Sequence, residues 1–261
     1  MKPKYLSILI AGALTYTAVL FNAHNSTVRA SNEYRLSRTA SDDVSNGATV
    51  TGKVAFTGQA PKNHAINMAA DPVCSKSHPG AAMSEEVVTG PDNTVANALV
   101  YVSEGLPGRT FEAPKQSAVI QQKGCQYHPH VAAVETGQKL MVENSDPTTH
   151  NIHPVPSNNR EWNQSQMQGA APLETTFGRE EIAIPVKCNI HPWMKGYIAV
   201  FKHPFFAVTG SDGKFVLKGL PPGNYTITAW HEQLGTTTQK VTIAANETKD
   251  VNFTLEAQPN H

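Results

Sequence analysis

The sequence predicts an all-β chain built as two sandwich modules, and three observations carry that expectation. Short runs rich in Val, Thr, Ile and aromatic residues recur between turn signals. Charged residues make up only 16% of the chain, while Gly and Pro number 18 each, the composition of sandwiches and barrels. A length of 261 residues is enough for two cores of ordinary size. No internal repeat is visible and no segment has a helical period, beyond a short helical turn expected within 161–169.

The N-terminus reads as an export signal. Lys2 and Lys4 precede an apolar stretch from Tyr5 to Phe21, and Val28-Arg29-Ala30 supplies a small-residue cleavage pattern. Cleavage after Ala30 makes 1–30 a signal peptide and the protein periplasmic or otherwise exported. The alternative is an uncleaved anchor, since the apolar run is at the lower edge of the roughly 20 residues a spanning helix needs; only then does the chain meet a membrane. No cysteine follows the run, which argues against a lipoprotein anchor. Residues 31–47 are polar and read as a disordered linker.

The first strand signal is ATVTGKVAFTG at 48–58, where Val50, Val54 and Phe56 alternate around Gly52 and Lys53. Residues 59–94 are loop-rich, and VANALVYV at 95–102 reads as a buried strand ended by Glu104 and Gly105. From Ala118 the pattern is strand-like again, with Val131 and Val134, then Leu140 and Val142, set about a Thr136-Gly137 turn that predicts a hairpin. Residues 154–172, rich in Pro, Asn and Gln, read as a long connection. EIAIPVKC at 181–188 and KGYIAVFKH at 195–203 are strands bracketing NIHPWM. In FAVTGSDGKFVLKGLPPGNYTITAW and VTIAANETKDVNFTLEA, strands and turns follow one another quickly.

Lys and Arg number 21 and Asp and Glu number 21, so there is no basic field for a nucleic acid. Signal removal would take away Lys2, Lys4 and Arg29 and no acid, leaving the chain mildly acidic. Three cysteines are an odd number for an oxidising compartment, where thiols pair and a remainder needs another role. Cys188 sits among metal-ligand residue types, whereas Cys74 and Cys125 lie in loop-like surroundings; a Cys74–Cys125 disulfide is expected.

Cys188-Asn-Ile-His191-Pro-Trp-Met194 places a thiolate, an imidazole and a thioether in one loop. His150 follows a strand ending at Asn144, and a sandwich can bring that strand end beside the 188–194 loop. Cys, two His and a weak Met form the donor set of blue-copper electron-transfer sites, because thiolate and imidazole hold both oxidation states without large rearrangement. The competing reading is that these are ordinary buried side chains. Zinc also takes Cys and His, but thioether suits it poorly and the loop offers no second thiolate.

The segment CNIHPWM resembles the ligand loop of the cupredoxins, with the CxxHxxM spacing of the amicyanin type rather than the plastocyanin type. YHPHVAAVETGQKLMVENSDPTTHNIH extends the likeness upstream, over roughly 116–203 in all. The resemblance implies one copper ion cycling between Cu(II) and Cu(I). It also implies His150, Cys188 and His191 as equatorial ligands, Met194 as the long axial one, and Asn151 tying the two ligand loops together. Ile190 departs from the family, which carries Pro before the second histidine; hydrogen bonding at the Cys188 sulfur is expected to differ.

GKVAFTGQAP, VANALVYV and AVTGSDGKFVLKGLPPGNYTITAW resemble successive strands of a carboxypeptidase regulatory-like, or transthyretin-like, β-sandwich. The two halves of that pattern flank the copper segment. The expected architecture is therefore a cupredoxin Greek-key β-sandwich, 114–203, inserted in a regulatory-like sandwich of 48–113 plus 204–256. A tandem arrangement is the alternative.

His78, His128 and His130 invite a second metal site, but strand histidines are more often packed or solvated. His153 is expected outside the ligand set, and His203 and His231 are candidates for a domain junction. Pro192 and Trp193 are candidates for a docking and electron-exit patch about the His191 edge, with Trp193 packed on a neighbouring module as the equal alternative. The expected function is to carry single electrons between exported redox proteins, for example a cytochrome or an exported oxidoreductase. The alternatives are copper storage or delivery, disfavoured by scattered methionines, and a cell-surface binding module with a structural metal. An enzyme is not expected: no second Cys-His loop, phosphate loop, nucleophile elbow or paired-carboxylate motif stands out.

Overall fold

The computed structural model describes residues 46–59, 63–106, 108 and 110–256. The expected signal peptide, and the linker apart from its last two residues, lie outside them. Strand β1 spans Ala48–Thr57, the short helix α1 Pro72–Lys76, and β2 Leu99–Glu104. The middle of the chain forms β3 (Ala118–Lys123), β4 (Gln126–His128), β5 (Val131–Glu135), β6 (Leu140–Asn144) and β7 (His150–Pro154). It continues with β8 (Gln164–Gln166), β9 (Leu173–Thr175), β10 (Glu181–Lys187) and β11 (Lys195–Phe201). The last third holds β12 (Phe206–Val208), β13 (Lys214–Leu220), β14 (Gly223–His231), β15 (Gly235–Ile243), β16 (Thr248–Asp250) and β17 (Phe253–Glu256). The protein is all-β, as its composition and turn signals predict.

These strands make four sheets, in the orders β13-β1-β16 with β17 also on β1, β12-β2-β14-β15, β5-β11-β10-β7-β8, and β4-β3-β6-β9. Alternation along the strands explains how the sheets stack. Val100 and Val102 of β2 face one core with Val50, Val54, Leu217, Ile227 and Phe253. Leu99 of the same strand faces a smaller cluster with Ala133, Ala199 and Phe201, against which Tyr101 and Trp230 pack. Ile198 and Val200 of β11 turn to a third core with Ile120, Val142, Ile152 and Val186. Four layers thus enclose three apolar interfaces, which is why β5 and most of β11 are buried on both faces.

The first two sheets draw β1 and β2 from before the central segment and β12 to β17 from after it. Gly52 in β1 has a specific cause: a Cβ there would lie 1.9 Å from the Val251 carbonyl oxygen. The stretch between β1 and β2 divides its burial, with Met68, Cys74 and Ala82 packed into the core between the third and fourth sheets and Val87 into that of the first two.

Three local expectations are corrected. β5 and β6 do not form a hairpin: β5 runs parallel to β11, and β6 runs parallel to β3 in the facing sheet. The Thr136-Gly137 turn carries the chain across the sandwich, because Val131 and Val134 are buried within one sheet and Leu140 and Val142 within the other. No helical turn lies at 161–169; Gln164–Gln166 is the strand β8, paired antiparallel with His150–Ile152. The loop-rich 59–94 contains α1, started by Asp71 as N-cap and Pro72 in the first turn.

Candidate metal centre

The strand ends define the site. β10 delivers Cys188 and β11 begins just after Met194, and the pair is antiparallel. The intervening loop is closed by Met194 N–H donating to the His191 carbonyl (2.9 Å) and Cys188 N–H to the Met194 carbonyl (3.1 Å). β7 pairs with β10 through Val186↔Pro154 and Lys187↔His153. That pairing sets His150, the first residue of β7, beside the loop.

The ligand atoms of His150, Cys188 and His191 lie within 4.8 Å of one another, all three residues buried. The Nδ1 atoms of His150 and His191 are 2.9 Å apart, and Cys188 Sγ is 3.9 Å from His191 Nδ1. Met194 is fully buried in the same core cluster. Asn151 ties the two segments: its N–H points at Cys188 Sγ (3.5 Å), and its Oδ1 accepts from Asn189 N–H. Its Nδ2 donates to Asn163 and its carbonyl accepts from the Tyr127 hydroxyl (2.6 Å).

Burial opposes ionisation of the Cys188 thiol, but the neighbouring His150 and the amides of Asn151, His191 and Ile190 outweigh it and hold its pKa below the ordinary value. Ile190 thus contributes an N–H that a proline could not. Burial likewise opposes the charged form of His150, yet Asp146 and the Cys188 sulfur hold its pKa above the usual histidine value.

The outer edges of both rings are occupied. His150 Nε2 donates to Asp146 Oδ2 (2.8 Å) and His191 Nε2 to Asp71 Oδ2 (2.9 Å). Both carboxylates are held below the usual range, hydrogen bonding to the histidines and to backbone amides overcoming burial. Ionised carboxylates only accept, so they place the histidine protons on Nε2. Both Nδ1 lone pairs then face the same dry point as the Cys188 sulfur. Two imidazole lone pairs that converge beside the sulfur with no donor between them are costly when buried, and a soft cation satisfies them, so the residues fit a copper ion.

Asp71 and Asp146 escaped the sequence reading. Signals for both were present: Asp-Pro before Cys74 is an N-cap pattern, and Asp146 stands four residues before His150. Cys74 and Cys125 form a disulfide, and Cys188 is the free cysteine. The His191 edge expected at the surface is instead covered by Asp71 and by Cys74 Sγ, 3.7 Å from Nε2, leaving His191 2% exposed. Pro192 is exposed; Trp193 is half-buried, packed on the core, with its ring 5.1 Å from that of His191. Both line a cavity of about 290 Å³ with His64, Glu85, Glu86 and His130.

Six further histidines of the described residues have other partners. His78 Nε2 meets the Gly124 carbonyl (2.7 Å), His128 Nε2 the Lys123 carbonyl (3.1 Å), and His130 pairs with Glu232. His153 lies between Asn189 and Glu161. His203 and His231 are buried and accept from the amides of Phe205 and Gln233. Among the described residues, every group of three or more Cys, His and carboxylate side chains close enough to share an ion includes His150 or His191.

Residues 199–256 match the family model of the carboxypeptidase regulatory-like domain. Among solved structures, the chain is similar to a Cu-containing nitrite reductase from Thermus scotoductus, at 19% identity and a TM-score of 0.32 over 38% of this chain. The match spans a quarter (25%) of the reductase. A purple cupredoxin from Nitrosopumilus maritimus matches at 22% identity and a TM-score of 0.28, over 32% of this chain and 98% of its own. The Cu(I) form of an amicyanin mutant matches at 19% identity and a TM-score of 0.29, over 39% and 97%. No curated protein matches the chain.

Proposed function

We propose that the chain binds one copper ion between His150 Nδ1, Cys188 Sγ and His191 Nδ1, with Met194 as a weak further donor, and carries single electrons between exported redox proteins. The observation that carries this reading is the convergence of two imidazole lone pairs and one thiolate on a buried point. Copper, when bound, supplies a one-electron couple. The protein's residues supply the rest. His150 and Cys188 come from β-strand ends held by backbone pairing and His191 from the loop closed between β10 and β11, Asn151 locks one ligand segment to the other, and burial of all the donors excludes water. A rigid donor set changes little between oxidation states, which keeps the barrier to electron transfer low.

The covered outer edges of both rings favour a carrier over a copper oxidase, whose chemistry needs open coordination. They also disfavour storage or delivery, for which donors must be reachable. Ile190, 47% exposed, and Pro192 are the exposed apolar side chains of the ligand loop offered to a partner. The disulfide supports an oxidising, extracytoplasmic location. The pairing of β1 and β2 with strands beyond the central segment supports a copper module inserted into a regulatory-like sandwich.

Metal titration followed by voltammetry tests the proposal. One equivalent of copper per chain and a reversible couple with fast self-exchange are expected; rapid loss of the metal to a chelator, or an irreversible response, contradicts it.

A further inference from the structure

The two candidate ligand histidines are held from outside by parallel arrangements. Asp71 Oδ1 accepts the amides of Val73 (2.7 Å) and Cys74 (3.3 Å), while Oδ2 accepts His191 Nε2 (2.9 Å) and the Thr148 hydroxyl (3.2 Å). Asp146 Oδ1 accepts the Gly124 amide (2.7 Å), while Oδ2 accepts the Cys125 amide (2.7 Å) and His150 Nε2 (2.8 Å). Each carboxylate therefore grips one half-cystine's backbone and one imidazole. Cys74 and Cys125 are bonded to each other.

From these contacts we infer that Asp71 and Asp146 are positioning residues, joined through the Cys74–Cys125 disulfide into one clamp that fixes proton position and ring orientation in both copper-binding histidines. The inference rests on the copper reading and deepens it. An outer partner that receives Nε2–H leaves Nδ1 free for metal and raises its basicity. Asp71 comes from a segment 120 residues distant in sequence from His191, so the clamp is not a by-product of the ligand loops. His150 is anchored locally, four residues from Asp146; His191 depends on α1 and the disulfide that pins it. The lone pairs face the copper point only while both carboxylates stay in place.

The test uses the full chain with three variants. Asp71→Ser keeps a hydroxyl to cap α1 but is too short to hold the imidazole. Asp71→Asn keeps an acceptor for Nε2–H. Cys74→Ala with Cys125→Ala cuts the tie. Asp71→Ser is expected to lose copper to a Cu(I) chelator about 10- to 100-fold more readily and to change the copper hyperfine splitting, while the metal-free protein still folds with a cooperative melting transition. Asp71→Asn is expected to restore most of the retention, and the double cysteine variant to weaken it. Retention and hyperfine splitting in Asp71→Ser equal to wild type overturn the clamp.

Should the unaltered chain take up no copper, the copper reading fails by itself, and ring-nitrogen NMR of the metal-free protein still decides the clamp. Protons fixed on Nε2 of both rings, with that preference lost at residue 191 in Asp71→Ser, support it. The same tautomers in both proteins overturn it.

Discussion

The Tyr127 hydroxyl donates to the Asn151 carbonyl at 2.6 Å, joining β4 to β7 across the core between the third and fourth sheets. Asn151 is the residue whose amide points at the Cys188 sulfur and whose side chain holds Asn189, so the bond fixes the ligand segment from behind. Burial drives the Tyr127 pKa far above the ordinary tyrosine value, and the hydroxyl stays a donor throughout the accessible pH range. Tyr127→Phe leaves that carbonyl short of a buried partner and is expected to cost about 1–3 kcal/mol. An unchanged denaturation midpoint contradicts the assignment.

Ile190 contributes an amide donor to the Cys188 sulfur. Donors to the sulfur weaken its donation to the oxidised metal and favour the reduced state, so Ile190→Pro is expected to lower the reduction potential. Voltammetry of the two proteins side by side measures the shift; an equal or higher potential contradicts the role given to that N–H.

Glu135 ends β5 with only 4% of its surface exposed, and burial raises its pKa to about 7. The unfolded chain ionises near the ordinary 4.5, so between these values the native state holds a proton that the unfolded state has released. Glu135 therefore makes stability fall as pH rises from about 4.5 to about 7, by an amount on the order of 3 kcal/mol; its contribution is level above that. Glu135→Gln is expected to flatten this part of the stability profile. A slope that persists unchanged in the variant rules out Glu135 as its source.

Counting thiols on denatured, metal-free protein should find one, belonging to Cys188. Three would mean that the Cys74–Cys125 bond does not form in solution.

Much of this organisation is legible in the sequence because it is local. Alternating burial in β1, β3 and β13 follows the apolar pattern directly, and Cys188, His191 and Met194 share one loop. The odd cysteine count pointed to the Cys74–Cys125 pair. What stayed hidden is non-local. A tight turn such as Thr136-Gly137 looks the same whether the next strand pairs with the last or crosses to the facing sheet, since only tertiary partners decide. Asp71 has a visible local role as a helix cap, but nothing near it announces His191. The covered ring edge followed from the same gap: the loop-rich stretch before β2 carried no sign that its helix lies over the ligand loop.

If two imidazole nitrogens and one thiolate share a copper ion, optical and EPR spectra of the copper-loaded protein, recorded beside those of Cys188→Ser, carry its signature. Intense visible charge-transfer absorption with narrow hyperfine splitting is expected, abolished in the variant. A colourless protein with wide splitting, or a spectrum that Cys188→Ser leaves unchanged, would contradict it.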